Sequence, residues 1–406
     1  MTGFTVDSLN LPAGGDRITP TVPAKSAVFL THSSFSSPFR VGSHQLTKVL
    51  DGCGWRVLHV PTPVTPAHFP LGLFKPEYRS RIAQAGGRLQ PLFERSGEYI
   101  PLAWLPWQMA RLAGRHGPAL YAGSQFTAAR HIQRAGFARP DLLFVDEPRM
   151  IAMARWFKPR RSFYRATDLY HEMKGDSSVL VAERRALMET DAFIATSSPV
   201  YEHLRKMAPD KPGLLLENGV ELDHFVRPVP LPADLQRIPA PRATYVGAID
   251  DRFDFAATIS LARQRPGVSL VLIGPCKTGG AESALPSNVH LLGSRPYETI
   301  PAYMQHSTVG LLPLTAHRAN RGRSPMKIYE YGAAGLPVLA SQTDELARRN
   351  LSFVTLYETA EQMPKALDAT LALRPVLSAR AIQAAQAMSW NSRLDEIMRF
   401  SARLPA

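Results

Sequence analysis

The segment 324–340, SPMKIYEYGAAGLPVLA, holds the residues of this chain that are best suited to chemistry. A helix is predicted to begin just after Pro325, which needs no amide partner, with Ser324 as its cap. Lys327 and Glu330 lie three residues apart and therefore share one face of this helix. The free amides of a helix N-terminus suit a phosphate, Lys327 adds a full positive charge, and Glu330 can accept hydrogen bonds from ribose hydroxyls. The spacing predicts a nucleotide-diphosphate site, and an ordinary amphipathic helix closed by glycine is the alternative.

Strand-like runs alternate with helical patterns along the chain, which is typical of βαβ units and of a parallel sheet. The predicted strands are residues 26–30, 55–60, 141–145, 162–166 and 192–196 in the first half, and 213–217, 243–247, 269–274, 309–314 and 338–340 in the second. In paired α/β halves of this kind, ligands bind in the cleft beyond the carboxyl ends of the strands. The glycines of the second half do not form a GxGxxG fingerprint, which argues against a dinucleotide site.

The length and composition limit the class of protein. The 406 residues exceed what one compact core normally holds and fit two domains. A hydrophobic fraction of 45% with 20% charged residues is typical of a globular protein and not of a disordered one. The 47 lysines and arginines outnumber the 34 acidic residues, and the net charge of +13 favours phosphates, nucleic acid or an anionic membrane surface as partners.

Features that bear on location are few. The two cysteines, Cys53 and Cys276, have neither disulfide nor metal-ligand spacing, which indicates a reducing compartment. No apolar run approaches the ~18 residues that cross a bilayer. Residues 1–24 lack the pattern of a secretory signal and are predicted to be a disordered leader or extension. We therefore expect a cytoplasmic protein that can attach to a membrane surface.

Three further segments of the second half precede the predicted phosphate helix. An Asn-Gly turn signal occupies residues 218–219. At the end of a predicted strand, Gly247 lets backbone amides approach an anion closely and Arg252 can pair with that anion. Arg295 or Tyr297 can stack on a nucleotide base or form hydrogen bonds with it. For each segment taken alone, an ordinary turn or strand end is the alternative interpretation.

In their order along the chain, these four segments resemble the donor site of GT-B glycosyltransferases. The resemblance implies an α/β fold of two Rossmann-like domains that face each other across a cleft. It implies that Met326, Lys327 and Glu330 hold the nucleotide, and that Gly247 and Arg252 approach the diphosphate. The implied domains are an acceptor-binding unit (25–206), a nucleotide-sugar-binding unit (207–386) and a helix that crosses back to the first unit (387–406).

Asp168, in the segment YRATDLY, lies just beyond a predicted strand and therefore at the edge of the cleft. A carboxylate there can take a proton from an acceptor hydroxyl while the hydroxyl oxygen attacks the anomeric carbon of a sugar. We predict Asp168 as the base; a helix-capping role is the alternative. Asp146 and Glu147, which follow another strand, and Asp176 are the competing candidates.

Residues 99–140 contain no acidic residue but combine arginines with tryptophan and tyrosine. Trp104, Trp107, Arg111 and Arg115 suit a membrane surface, where rings lie at the headgroup boundary and arginine meets lipid phosphates. A buried helix pair with a solvated basic face is the alternative. Nucleic acid would also accept such a patch, but no RNA- or DNA-binding motif accompanies it, so nucleic acid is not predicted as a partner.

More narrowly, AVFLTHSSFSSPFRVGSHQL, YRATDLY and RGRSPMKIYEYGAAGLPVLA resemble the membrane-associated glucuronosyltransferases of xanthan, an exopolysaccharide. The resemblance implies transfer of glucuronate from UDP-glucuronate to a mannose-terminated, polyprenyl-diphosphate-linked oligosaccharide at the cytoplasmic face of the inner membrane. Gly322 stands where the commonest retaining pattern has a glutamate, which favours inversion, and no metal or other cofactor is expected. The basic loop 317–323 suits the carboxylate of a uronic acid. A GT-B-fold nucleotide-sugar epimerase and a non-enzymatic membrane-surface adaptor are the rival functions.

Overall fold

The computed structural model describes residues 25–37, 40–74, 76–87, 89–125, 128–276 and 285–405. The predicted leader, residues 1–24, lies outside these residues. Two α/β units follow one another along the chain, and each is built on a mainly parallel sheet. Within the described residues, no helix combines the length and the apolar character needed to cross a membrane.

The first unit contains a sheet of eight strands in the order β3-β4-β2-β1-β5-β6-β7-β8. The strands are β1 (Ser26–Thr31), β2 (Arg56–Pro61), β3 (Gln90–Pro91), β4 (Ser96–Glu98), β5 (Leu142–Val145), β6 (Arg161–Ala166), β7 (Ala192–Ala195) and β8 (Gly213–Leu215). All neighbours are parallel except β3 and β4, which are antiparallel. β8 pairs with β7, so the predicted boundary at residue 206 is wrong for this strand, which belongs to the first sheet.

Helices connect the strands of the first unit. They are α1 (Gly42–Gly52), α2 (His68–Phe74), α3 (Pro76–Gln84), α4 (Trp107–Ala110), α5 (Gly117–Gly123), α6 (Ala128–Arg134), α7 (Tyr170–Lys174), α8 (Val179–Glu189) and α9 (Ser198–Met207). Two 3₁₀ helices span Arg111–His116 and Pro148–Trp156. Alternate residues of β1 enter two separate cores, Val28 and Leu30 on one face and Ala27 and Phe29 on the other. Both faces of the sheet are therefore covered, as parallel sheets require.

The second unit contains six parallel strands in the order β11-β10-β9-β12-β13-β14. The strands are β9 (Arg242–Val246), β10 (Ser269–Ile273), β11 (Val289–Gly293), β12 (Val309–Leu312), β13 (Val338–Ser341) and β14 (Val354–Tyr357). The helices are α10 (Leu222–Val226), α11 (Ala233–Gln236), α12 (Phe255–Gln264), α13 (Ile300–Gln305), α14 (Arg318–Arg321), α15 (Met326–Ala333), α16 (Asp344–Arg349), α17 (Met363–Ala372) and α18 (Arg374–Ala387). The predicted α/β class with two parallel-sheet domains is confirmed.

The last helix, α19 (Trp390–Arg403), packs on α1 of the first unit. Trp390, Leu394 and Ile397 are buried in the same core as Phe29 of β1. The chain therefore crosses between the units twice, once after β8 and once after α18. The two crossings lie side by side, because Val220 and Ser389 form an isolated parallel bridge.

Candidate functional site

A pocket of about 370 Å³ lies where the carboxyl ends of strands from both sheets face each other. The first unit contributes residues that follow β1 and β6, and the second unit contributes residues that follow β9 and β12 together with the start of α15. The polar and glycine residues on its wall include His32, Arg40, Arg165, Thr167, Asp168, Asn218, Gly247, Asp250, Arg252, Arg323, Ser324 and Lys327. Cations outnumber carboxylates on this wall, which suits an anionic ligand.

The N-terminus of α15 opens onto this pocket without a capping side chain. By contrast, the side chains of Ser197, Asp254, Thr343 and Ser389 cap other helices by accepting a hydrogen bond from a backbone amide. The prediction that Ser324 caps α15 is wrong. Its hydroxyl instead contacts other parts of the chain, and the first amides of α15 are left for an anion.

Lys327 and Glu330 form an ion pair on the first turn of α15. The Lys327 Nζ atom lies 2.6 Å from Glu330 Oε2, and the two residues are i and i+3. Glu330 is buried, whereas Lys327 reaches the wall of the pocket. The buried Glu330 carboxylate thus holds the Lys327 ammonium group beside the first amides of α15. A diphosphate bound there would contact both the ammonium group and these amides.

Gly247 and Arg252 lie on the pocket wall after β9. A Cβ atom added to Gly247 would lie 2.6 Å from the Tyr245 hydroxyl, and one added to Gly274 would lie 1.9 Å from the Gly247 carbonyl oxygen. Only glycine permits this close approach of two strand ends. Arg252 donates two hydrogen bonds to Asp250, at 2.9 and 2.5 Å, and these bonds raise the pKa of Arg252. Its charge is therefore largely compensated in this structure.

The four candidate bases occupy different environments. Asp146 is fully buried and forms a bidentate ion pair with Arg165, and Glu147 is buried and paired with Arg149 at 2.5 Å. Asp176 does not line the pocket, and its carboxylate accepts a hydrogen bond from the Ser178 amide at 3.0 Å. Its carboxylate also pairs with an arginine of the first unit at 3.1 Å.

Asp168 is the candidate base that lines the pocket. It is the second residue after β6, and its Oδ2 atom accepts a hydrogen bond of 3.2 Å from the Thr167 hydroxyl. The next helix, α7, is anchored through Tyr170, whose hydroxyl donates to the Asp146 carbonyl at 2.9 Å. The carboxylate is therefore held at the cleft edge by a short, well-anchored connection.

The other two donor-site candidates lie away from the pocket wall. Arg295 pairs with Asp234 at 2.9 Å and donates to the Tyr303 hydroxyl at 3.0 Å. The ring of Tyr297 stacks on His224 with a centroid distance of 4.6 Å. These neighbours come from α10, α11 and α13, so the segment 295–297 is tied to the outer helices of the second unit.

Glu98 of β4, a buried residue, anchors the loop between β1 and α1. Its carboxylate accepts hydrogen bonds of 2.8 Å from the Ser34 hydroxyl and from the Phe35 amide. His59 Nδ1 lies 3.2 Å from the same carboxylate. Burial, and secondarily the charge of His59, lowers the pKa of His44 to about 2, so this histidine is neutral. A pocket-lining loop is thus fixed by buried polar contacts that local sequence patterns do not reveal.

Contacts with residues distant in sequence hold the start of α15 and the neighbouring helix α16 in place. Asn218 donates to the Ser324 carbonyl at 3.0 Å, and Arg349 donates to the Ser324 hydroxyl at 3.0 Å. The Ser198 amide donates to Glu345 Oε2 at 2.9 Å. Sequence reasoning missed these contacts because they join positions as far as 106 and 147 residues apart.

The predicted membrane residues divide into two groups. Trp104 is 71% exposed, but Trp107 is only 5% exposed and packs edge-on against Tyr121 in the core. Trp107 is therefore a core residue, and its prediction as a membrane contact is wrong. Arg111 pairs with a carboxylate at 3.1 Å, whereas Arg115 lies on the exposed surface. Large apolar side chains are exposed in α2 and around α4, namely Phe69, Leu73, Phe74, Leu102, Met109 and Leu112.

Residues 240–372, which form most of the second unit, match the family described as Glycosyl transferases group 1. A curated relative from Bacillus subtilis (strain 168), "Putative teichuronic acid biosynthesis glycosyltransferase TuaH", is 24% identical over 237 residues. That alignment covers 54% of this chain and 59% of the relative, so the chain spans somewhat more than half the length of the relative it matches.

Solved structures resemble the whole two-unit chain. Sucrose-phosphate synthase from Thermosynechococcus elongatus has a TM-score of 0.67 at 16% identity, covering 94% of this chain and 99% of that one. Anabaena HepE in complex with UDP-glucose has a TM-score of 0.62 at 15% identity, covering 92% and 99%. WaaG, a glycosyltransferase of lipopolysaccharide biosynthesis, has a TM-score of 0.58 at 15% identity, covering 93% and 100%. The chain therefore has the GT-B fold, and residues 240–372 of its second unit match the group 1 glycosyl transferase family.

Proposed function

We propose that this protein is a glycosyltransferase that uses a nucleoside-diphosphate sugar as donor. The observation that carries the proposal is the arrangement of the interdomain pocket. The first unit contributes the Asp168 carboxylate, and the second contributes the uncapped start of α15 with Lys327. A base on one side and an anion site on the other are what transfer between a hydroxyl and a sugar diphosphate requires. The family match of residues 240–372 and the UDP-glucose complex of HepE support the donor class.

The proposed reaction is a direct displacement with inversion. The oxygen of an acceptor hydroxyl attacks the anomeric carbon, its proton passes to Asp168, and the bond between that carbon and the diphosphate oxygen breaks. The leaving diphosphate gains negative charge, which Lys327 and the first amides of α15 stabilise. In this scheme the protein supplies the stabilising charge itself, and the transfer needs no metal. Inversion of the α-linked donor gives a β-glycoside.

We propose UDP-glucuronate as the donor because of Arg323. This side chain lines the pocket, and no described residue forms an ion pair with it. In contrast, Arg165 and Arg252 on the same wall are paired with Asp146 and Asp250. An uncompensated guanidinium beside the diphosphate site suits the carboxylate of a uronic acid through bidentate hydrogen bonds.

The proposed acceptor is a polyprenyl-diphosphate-linked oligosaccharide ending in mannose, of the kind used in exopolysaccharide synthesis. Such an acceptor lies at the cytoplasmic face of the inner membrane, where we propose peripheral attachment. The exposed apolar side chains of Phe74, Trp104 and Leu112 support it, together with exposed Arg115. Sedimentation with vesicles rich in anionic phospholipid tests this surface. Leu112→Asp is expected to reduce binding, and binding equal to wild type would contradict the assignment.

The direct test is a donor panel with purified full-length protein. Radiolabelled UDP-glucuronate, UDP-glucose and UDP-galactose are each incubated with lipid-linked oligosaccharide extracted from membranes, and label in the lipid fraction is counted. Transfer is expected to be much faster from UDP-glucuronate than from either neutral donor. Transfer only from a neutral sugar would refute the donor, and conversion of the donor without an acceptor would indicate an epimerase. Binding of vesicles without binding of any nucleotide would indicate an adaptor.

The stereochemistry has its own readout. The anomeric proton of the new linkage is expected to show the large ¹H–¹H coupling of a β-glucuronide in the NMR spectrum of the released oligosaccharide. A small coupling would show retention and would remove the proposed role of Asp168 in direct displacement.

A further inference from the structure

We propose that His171, Glu183 and His203 bind a divalent transition-metal ion, most suitably Zn²⁺, at a site outside the cleft. One ligand comes from each of α7, α8 and α9. One potential ligand atom of each residue lies within 4.8 Å of the others. Within the described residues, this is the one group of three His, Cys, Asp or Glu side chains that meets this spacing.

The distances suit a tetrahedral ion. Two ligands at about 2.1 Å from Zn²⁺ with a tetrahedral angle between them lie about 3.4 Å apart. His203 Nε2 and Glu183 Oε2 are already separated by 3.2 Å. The ring of His171 lies beside that of His203, with a centroid distance of 4.7 Å and an interplanar angle of 25°. Rotation of the His171 ring out of this stack, so that a ring nitrogen faces Glu183, would complete a His₂Glu set and leave one position for water.

The buried groups of the cluster favour a cation. Glu183 is 1% exposed, and a buried carboxylate is costly unless a positive charge compensates it. Its other oxygen accepts a hydrogen bond of 2.7 Å from Tyr164, which orients the carboxylate as an outer-shell donor orients a metal ligand. The Nδ1 atom of His171 is buried and has no hydrogen-bond partner among the described residues. A metal ion would satisfy both the carboxylate and this nitrogen; a protonated His203 would satisfy only the carboxylate.

The position of the site indicates what the ion would do. α7 begins at Tyr170, two residues after Asp168, and it packs against α14 of the second unit. An ion held by His171 would tie α7 to α8 and α9 and thereby hold the segment that carries Asp168. The ion is thus assigned a positioning role, and it takes no part in the transfer step itself.

The test uses full-length protein without a histidine tag. The protein is treated with a chelator, dialysed, loaded with Zn²⁺ and desalted, and metal is measured by mass spectrometry. We expect about one Zn²⁺ per chain and, after loading with Co²⁺, the intense visible absorption of a four-coordinate site. His203→Ala is expected to weaken binding more than about 10-fold, whereas His116→Ala, which alters an exposed histidine, should leave it unchanged.

A second variant keeps the test decisive if His203→Ala does not fold. Glu183→Gln retains an acceptor for Tyr164 while removing the ligand charge, and it is expected to lose Zn²⁺ without loss of helical signal in circular dichroism. Wild-type protein that retains less than about a tenth of an equivalent of Zn²⁺ overturns the proposal. So does retention by His203→Ala or Glu183→Gln equal to wild type. In either case the cluster is a hydrogen-bonded histidine–carboxylate group.

Discussion

At the scale of single residues, pairing distinguishes the charges of the pocket. Arg165 and Arg252 each have a bidentate carboxylate partner, so they shape the wall more than they attract a ligand. Lys327 is paired too, but with only one oxygen of Glu330, so its ammonium group keeps hydrogen-bond donors for a phosphate at the helix terminus. Arg323 lines the pocket without an ion-pair partner among the described residues. The proposed donor, UDP-glucuronate, can therefore be tested by replacing single cationic side chains of the pocket.

Replacing Arg323 is expected to change donor choice. Arg323→Gln should lower kcat/KM for UDP-glucuronate about 10- to 100-fold, because hydrogen bonds between charged groups contribute about 1.5–3 kcal/mol. The low activity with UDP-glucose should change little. Arg321→Gln, two residues away on the exposed surface, is the matched control and should behave as wild type. An equal fall with both donors would show that Arg323 meets the diphosphate and not the sugar.

At the scale of elements, the sequence predicted best where burial alone decides. The strands β1, β5 and β12 were predicted because their runs of Val, Leu and Phe are buried on both faces. The start of α15 was predicted, but its cap was not, because Ser324 bonds to residues far away in sequence. Trp107 was misassigned because four-residue α4 is too short for a periodic pattern to separate its inner face from its outer one.

The anchored loop between β1 and α1 predicts a pH effect on stability. The pKa of His44 is about 2 in the folded protein and about 6.5 when the chain is unfolded. Between these values the unfolded state binds one more proton, so the stabilisation is present above pH 6.5 and is lost as pH falls. From pH 7 to pH 5, this one group should lower the free energy of unfolding by about 2 kcal/mol.

The comparison that isolates His44 is wild type against His44→Asn. Asparagine keeps an acceptor near the Val41 amide, which lies 3.4 Å from His44 Nδ1, but it does not titrate. Urea unfolding at pH 7 and pH 5 is expected to show the weaker pH dependence in the variant. Identical pH dependence in the two proteins would mean that His44 takes up a proton without unfolding.

At the scale of the whole molecule, α19 joins the end of the chain to the first unit. Its inner face belongs to the core that also contains β1 and β5, so the second unit is attached at both ends. Sequence periodicity alone indicates only an amphipathic helix; the family resemblance implies its return to the first unit, and in the structure α19 packs on α1. The assignment of β8 to the wrong unit has a similar cause, because a three-residue strand carries no signal of its partner.

Truncating Trp390 should destabilise the first unit. The side chain is 4% exposed and lies close to Gly42 and Gly219, so Trp390→Ala leaves a cavity that costs about 3–5 kcal/mol. Trp104→Ala removes the same side chain where it is 71% exposed and should change stability by less than about 0.5 kcal/mol. Thermal unfolding followed by circular dichroism compares the two. Equal melting temperatures would show that α19 does not stabilise the first unit.

The measurement that tests the account most directly is single-turnover transfer from UDP-glucuronate by Asp168→Asn and Asp176→Asn, with the affinity of each variant for UDP. Both changes replace a carboxylate by an amide of the same shape, but only Asp168 lines the pocket. The account predicts that Asp168→Asn loses about 10²- to 10⁴-fold in transfer rate and still binds UDP, while Asp176→Asn resembles wild type. Full transfer by Asp168→Asn, or loss of transfer in Asp176→Asn alone, would contradict it.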